Sequence, residues 1–306
     1  MTLRAVLLLG VYLLVFPLFV LGPLAGLLLA SRPQTVREWV WIGFALVWAA
    51  LSLLTPEGIA TQTLEAWAFF VTGAFVLLML TGRRGVVPGA FLASLFGFGA
   101  VTAWSWSLGT RWRDIQLAVE HGGWEMCRQL VDSAKAAGAA RAESVQALVD
   151  AMAAGVSLSA DLFPALLVLT ALPGLALAWS WYHRLASRPV GKPAEAFAEF
   201  RFSDQLVWLI VLALAAWLLP LPPLLGGITD NLAVLAGGLY AARGAAILWG
   251  SLETFPLLVL LLIMVGTLTI LPVAMGGCFA IGLADTWVDF RRRYASADTE
   301  GRDPWK

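Results

Sequence analysis

Long apolar runs alternate with short breaks of charge, proline or glycine along this chain, and about nine of the runs have membrane-crossing length. They cover approximately residues 4–30, 36–54, 64–81, 86–109, 162–184, 205–225, 230–250, 254–272 and 273–289. A hydrocarbon core takes about 20 apolar residues in helix, and a helix satisfies its own backbone polar groups where there is no water. The pattern predicts an all-α polytopic transmembrane bundle of eight or nine spans. The run from Arg4 to Ala30 is too long for a signal-peptide core and is read as the first span. Pro17, Gly22 and Pro23 are expected to kink it or to split it into half-helices, which is why the count is left open by one.

Segment 110–161 breaks the pattern. Ile115, Val119, Gly122, Met126, Leu130, Ser133 and Ala137 recur at steps of three or four, and Val145, Leu148, Val149, Met152 and Val156 do so after Gly138. Two amphipathic helices in a hairpin follow. A hairpin packed on the bundle and a paddle lying on the membrane or lidding a cavity both fit. The expected organisation is membrane spans over 1–109, the polar hairpin over 110–161, membrane spans over 162–293 and a disordered tail over 294–306. Within it, the Pro- and Gly-containing stretch 186–203 reads as a linker between five spans and four.

Composition agrees with this class. The 306 residues are 60% hydrophobic and only 13% charged, with a mean hydropathy of +0.81, whereas soluble domains carry about a quarter charged residues. Twenty Lys and Arg balance twenty Asp and Glu, with no basic patch that would suit nucleic acid. Placement of charge is more telling. Basic residues gather at Arg32 and Arg37, at Arg83 and Arg84, at Arg184 to Arg201, and from Arg291 to Lys306. Nine alternating spans put all four groups on one side, which the positive-inside rule makes cytoplasmic. The C-terminus is then expected inside, with the N-terminus and segment 110–161 outside. Tryptophans near run ends, among them Trp39, Trp67, Trp106, Trp179, Trp208 and Trp287, suit an aromatic belt.

The rare polar groups inside the runs are the candidates for chemistry. Arg243 is the most expensive, because a guanidinium in the middle of a membrane helix costs about 3 to more than 10 kcal/mol unless it meets a partner or water. Tyr240 precedes it by one turn. Asn231 is the third candidate on that run, although its direction differs from that of Arg243 by about 120°. These three are the expected ligand-binding or cavity-lining residues, with a small anionic ligand as the occupant; a structural pairing of Arg243 with Asp285 is the competing reading. Ala233, Gly237, Ala241 and Ala245 form a small-residue row on the same run, and Ala274, Cys278 and Gly282 form another on the last. Asp285 and Asp289 lie one turn apart and, with Arg292 and Arg293, are expected to make ion pairs or to contact a partner.

Enzyme signatures are missing. The chain has no HExxH, no GxSxG and no Walker A sequence, and His121-Gly-Gly-Trp-Glu125 has the wrong order for zinc. An intramembrane aspartyl protease would need a second buried Asp beside Asp285, and Asp161, Asp204 and Asp230 all sit at run ends. Cys127 and Cys278 have neither metal-ligand nor disulfide spacing. No cofactor and no metal are expected, and any ATP-driven activity would borrow the ATPase of a partner.

The C-terminal half resembles the YybS-like family of bacterial membrane proteins. The residues that carry the resemblance are Phe200-Arg201-Phe202-Ser203-Asp204-Gln205-Leu206-Val207-Trp208, then Asn231, Tyr240 and Gly244, then Gly282-Leu283-Ala284-Asp285 and Asp289-Phe290-Arg291. The resemblance implies a multi-pass protein of the bacterial cytoplasmic membrane, related to the substrate-binding components of energy-coupling-factor vitamin transporters. The reading is a non-enzymatic transport-type or substrate-binding membrane subunit, embedded in the bilayer and acting with a membrane partner or a separate ATPase subunit. A scaffold of an envelope complex is the alternative and an intramembrane enzyme the third.

Overall fold

A computed structural model describes residues 18–52, 58–81, 85–136, 142–220, 222–252 and 270–288. Among these residues there are ten α-helices, two 3-10 turns and no strands. The helices are α1 (Leu18–Ala30), α2 (Val36–Ser52), α3 (Ile59–Leu80), α4 (Val86–Ser107), α5 (Trp112–Ala136), α6 (Ala142–Asp161), α7 (Phe163–Leu185), α8 (Val207–Trp217), α9 (Pro223–Leu252) and α10 (Leu271–Val288). Five of them, α3, α4, α7, α9 and α10, are long and apolar enough to cross a membrane. Eight or nine were expected.

The five are counted among the described residues only, and where these depart from an expected run the causes are local. The run 205–225 yields only the 11-residue α8, about 16 Å of helix against a hydrocarbon core of about 30 Å. Pro220, Pro222 and Pro223 stop it by removing backbone donors. Pro223 then opens α9, where its missing N–H costs nothing, so α9 starts well before the expected position 230. The first run is continuous from Leu18 through Pro23 to Ala30, without the expected split in that stretch. Most of the run 254–272 lies outside the described residues, as do 1–17.

The described residues form two compact units, divided between Ala194 and Glu195. In the first, α1 packs on α2, α3 and α7, α3 on α4, and α4 on α7. Phe19, Val20, Leu21, Leu24, Leu27 and Leu28 of α1 are all buried, as befits a helix that is apolar all round. Gly22 has a packing role here. A Cβ there would stand 3.2 Å from Thr72 Oγ1, and one on Gly26 2.9 Å from Val76 Cγ2, so the two glycines let α1 approach α3 closely. Trp67 and Trp179 are fully enclosed, with Phe75 edge-on to Trp179 at 6.3 Å. Packing inside the bundle, not headgroup contact, surrounds these two rings.

The polar hairpin is helical, and α5 packs on α6 and α3. Its buried face keeps Ile115 and Val156 of the expected rows and departs from them after Gly122. Ile115, Cys127 and Val131 are buried, whereas Met126 is 65% exposed and Leu130 is exposed too. A Cβ on Gly123 would lie 2.9 Å from Val156 Cγ1. The glycine thus seats α6 over the row Gly123, Cys127 and Val131, shifting the contact by one residue from Gly122 onward. In the second unit, α9 lies along α10, and α8 and the turn Phe197–Glu199 lie against α9.

Candidate functional site

The second unit is built around Arg243. Its helix runs beside α10 at unusually short range, because Gly244 faces the carbonyl of Cys278 and Gly282 faces the carbonyl of Tyr240, leaving no room for a Cβ at either place. Of the two expected small-residue rows, the one holding Cys278 and Gly282 makes this approach. On α9 the contact passes through Tyr240 and Gly244 rather than the Ala233, Gly237, Ala241 and Ala245 row, and a Cβ on Gly237 would meet nothing within 4 Å.

That approach brings Asp285 under Arg243. The Arg243 Nε donates to Asp285 Oδ2 at 2.9 Å, and both residues are buried. The Nη1 of the same guanidinium donates to Asp204 Oδ1 at 2.7 Å. The two carboxylates differ in one decisive respect: the Asp285 side chain is 0% exposed and that of Asp204 is 64% exposed. Asp204 opens the 3-10 turn Asp204–Leu206, whose N-cap Ser203 accepts from the Gln205 N–H. Two residues earlier, the Phe202 ring stands 5.5 Å from the guanidinium carbon, within the range of a cation–π contact. Phe202 also meets Tyr240 edge-on at 5.0 Å, and Tyr240 meets Phe279 at 6.4 Å.

Among the described residues, this cation faces two carboxylates. A buried guanidinium matched to one buried carboxylate is close to neutral, and Asp204 adds a charge that water reaches. Beside it lie two buried hydroxyls, Tyr240 Oη on α9 and Thr286 Oγ1 on α10, which have no hydrogen-bond partner among the described residues beyond each other. Such groups usually find partners in native structures.

The expected site residues fare differently. Arg243 and Tyr240 share the cluster, and Asp285 joins them. Asn231 lies three turns away, about 18 Å along the helix, where its Nδ2 donates to Gly227 O at 2.9 Å. Asp289, Arg292 and Arg293 lie outside the described residues. Asp204, Phe202 and Thr286 were not singled out as partners of Arg243. Phe202 and Asp204 stand in the stretch that carried the family resemblance, together with Tyr240, Gly244, Gly282 and Asp285, and these residues converge in space.

A second polar cluster lies in the first unit. Glu38, itself buried, accepts through Oε2 from the N–H groups of Gln34 and Thr35 at 2.7 Å and from Thr35 Oγ1 at 2.9 Å. Its Oε1 accepts from Ser187 N at 2.7 Å and from Ser187 Oγ at 3.0 Å. Thr35-x-x-Glu38 is a capping box, so the sequence carried a signal for half of this cluster. Nearby, Trp179 Nε1 donates to Lys192 O at 3.1 Å and Val190 N to Tyr182 Oη at 2.8 Å, which folds the 186–192 connection over the core. Gly191, at φ +80°, lies against the Trp179 ring. Its left-handed backbone disfavours a side chain, and a Cβ there would press on the ring at 3.2 Å. This cluster is a fastening between connections.

No curated protein and no solved structure matches the chain. A family model described as "Predicted membrane protein (DUF2232)" matches residues 4–286. Its match spans both units and every residue of the Arg243 cluster, which agrees with the five long apolar helices. The chain is an integral membrane protein and belongs to the DUF2232 family of predicted membrane proteins.

Proposed function

We propose that this protein is a non-enzymatic, transport-type binding subunit of the bacterial cytoplasmic membrane, with its ligand site at Arg243. The observation that carries the reading is the unequal pairing of the guanidinium. Asp285 is fixed and buried, while Asp204 is exposed on a short turn and can leave for water at little cost. An arriving anion takes its place on Nη1, and the Tyr240 hydroxyl stands one turn away to receive it. In this reading the subunit acts with a membrane partner or a separate ATPase subunit, and any ATP-driven step would take place on that partner. A cytoplasmic C-terminus and a cytoplasmic segment 183–203 are part of this reading, supported by the Arg and Lys residues gathered in both.

A scaffolding role is the second reading, favoured by the closeness of α9 and α10 at Gly244 and Gly282. Native mass spectrometry of the gently solubilised protein separates the two. The binding reading expects a small molecule that is retained by the wild type and lost from Arg243→Lys while the fold persists. A protein that is empty under all gentle conditions, with positions 243 and 285 strongly coupled in stability, defeats it.

A further inference from the structure

Resting on that reading, we infer that the site takes a carboxylate group of a monoanionic small molecule, bound between Arg243 Nη1 and the paired hydroxyls of Tyr240 and Thr286. Charge selects the class. The guanidinium already holds one oxygen of Asp204 at 2.7 Å, so this carboxylate is a built-in stand-in for the ligand. Replacing one carboxylate by another keeps the charge beside Arg243 unchanged. A phosphate dianion would add a further negative charge close to the buried Asp285.

The hydroxyls supply what Asp204 does not use. Tyr240 is wholly buried, and its Oη and Thr286 Oγ1 have no hydrogen-bond partner among the described residues beyond each other. Each is a donor as well as an acceptor. A carboxylate has two oxygens with about four lone-pair sites, so one oxygen can sit on Nη1 while the other accepts from a hydroxyl. Tyr240 lies one turn before Arg243 on α9 and Thr286 follows Asp285 on α10, so guanidinium and hydroxyls belong to the same pair of facing turns. The Phe202 and Phe279 rings that flank Tyr240 suit an apolar remainder on the same molecule. Asp204 thus acts as a plug that the ligand displaces.

Chemical rescue tests this in the full-length protein. Asp204→Ala vacates Nη1, and Asp204→Asn serves as a second variant that keeps the shape of the side chain. Each is melted in detergent with sodium acetate in the water, with sodium decanoate in the micelle, or with sodium chloride or inorganic phosphate at matched ionic strength. Acetate is expected to raise the unfolding midpoint of the Asp204 variants by a few degrees over chloride, with phosphate doing less. The gain should shrink when Tyr240→Phe is added. Rescue by decanoate alone would keep the carboxylate and assign it to an acyl molecule arriving from the bilayer. A midpoint that responds to neither carboxylate, or equally to chloride, overturns the inference. A molecule retained through Arg243 that bears no carboxylate would overturn it as well and leave the binding function standing.

Discussion

Gly244 of α9 and Gly282 of α10 are seated against each other's helix backbone, Gly244 on the Cys278 carbonyl and Gly282 on the Tyr240 carbonyl. The neighbours are main chain, which cannot rotate aside as a side chain can. Gly244→Ala and Gly282→Ala should each force the helices apart and lower stability by at least about 1–3 kcal/mol, the range for overpacking a filled interior. Because the separation carries Asp285 away from Arg243, both variants should also weaken any ligand retention. Gly237→Ala, whose Cβ would meet nothing within 4 Å, is the control. Equal melting of all three proteins would show that the close approach is not what holds α9 to α10.

Glu38 gives a sharp prediction in the first unit. It satisfies three N–H groups and two hydroxyls with two oxygens. Hydrogen bonds to a charged group contribute about 1.5–3 kcal/mol, and loss of the cap about 1. Glu38→Ala should therefore cost about 2–4 kcal/mol. Ser187→Ala keeps its backbone donor and should cost about 1 kcal/mol. Thermal unfolding with amide exchange read at Ser187 checks both. Glu38→Ala that leaves the Ser187 amide as protected as before would refute the fastening.

The membrane class was legible from run length alone, since hydrocarbon admits few other structures than a helix with such composition. Arg243 was legible for the same reason, as a cost that something must offset, and Asp285 and the Cys278–Gly282 row were visible as rare polar or small residues in an apolar helix. Asp204 was not. It stands 39 residues from Arg243 at the end of a run, and no periodicity says where a connection folds back. The same holds for Glu38 and Ser187, 149 residues apart, although the capping half of that cluster was written locally in Thr35-x-x-Glu38. The span count is not confirmed by the described residues, and at 205–225 hydropathy cannot tell a crossing helix from an apolar stretch stopped by prolines, as at Pro220 to Pro223. The one-residue shift on α5 arose because small residues count as apolar neighbours in a periodic row, whereas in the fold a glycine decides where the partner sits.

Segment 112–136 should exchange its backbone amides faster than α9. Arg113, Asp114, His121, Glu125, Arg128 and Asp132 are all exposed on α5, so local opening there strands little buried surface. Peptide-resolved hydrogen exchange in detergent or nanodiscs measures this directly. Protection over 112–136 as strong as over 225–250 would mean that a further surface covers the helix.

The most discriminating measurement concerns Arg243, Asp285 and Asp204 together. Removing one partner of a buried ion pair strands the other and typically costs about 3–5 kcal/mol, while an exposed pair is worth about 0–1 kcal/mol. Arg243→Ala and Asp285→Asn should therefore both be severe, and Asp204→Asn mild. The double variant Arg243→Ala/Asp285→Asn should recover part of the sum of the single losses, because neither charge is then left without its partner. Arg243 also lies over the Phe202 ring and is itself buried, so recovery should stay incomplete. Thermal or denaturant unfolding of the three single variants and the double variant gives the coupling. If Asp204→Asn proves as costly as Asp285→Asn, Asp204 is no replaceable plug, and the exchange of carboxylates at Nη1 falls with it.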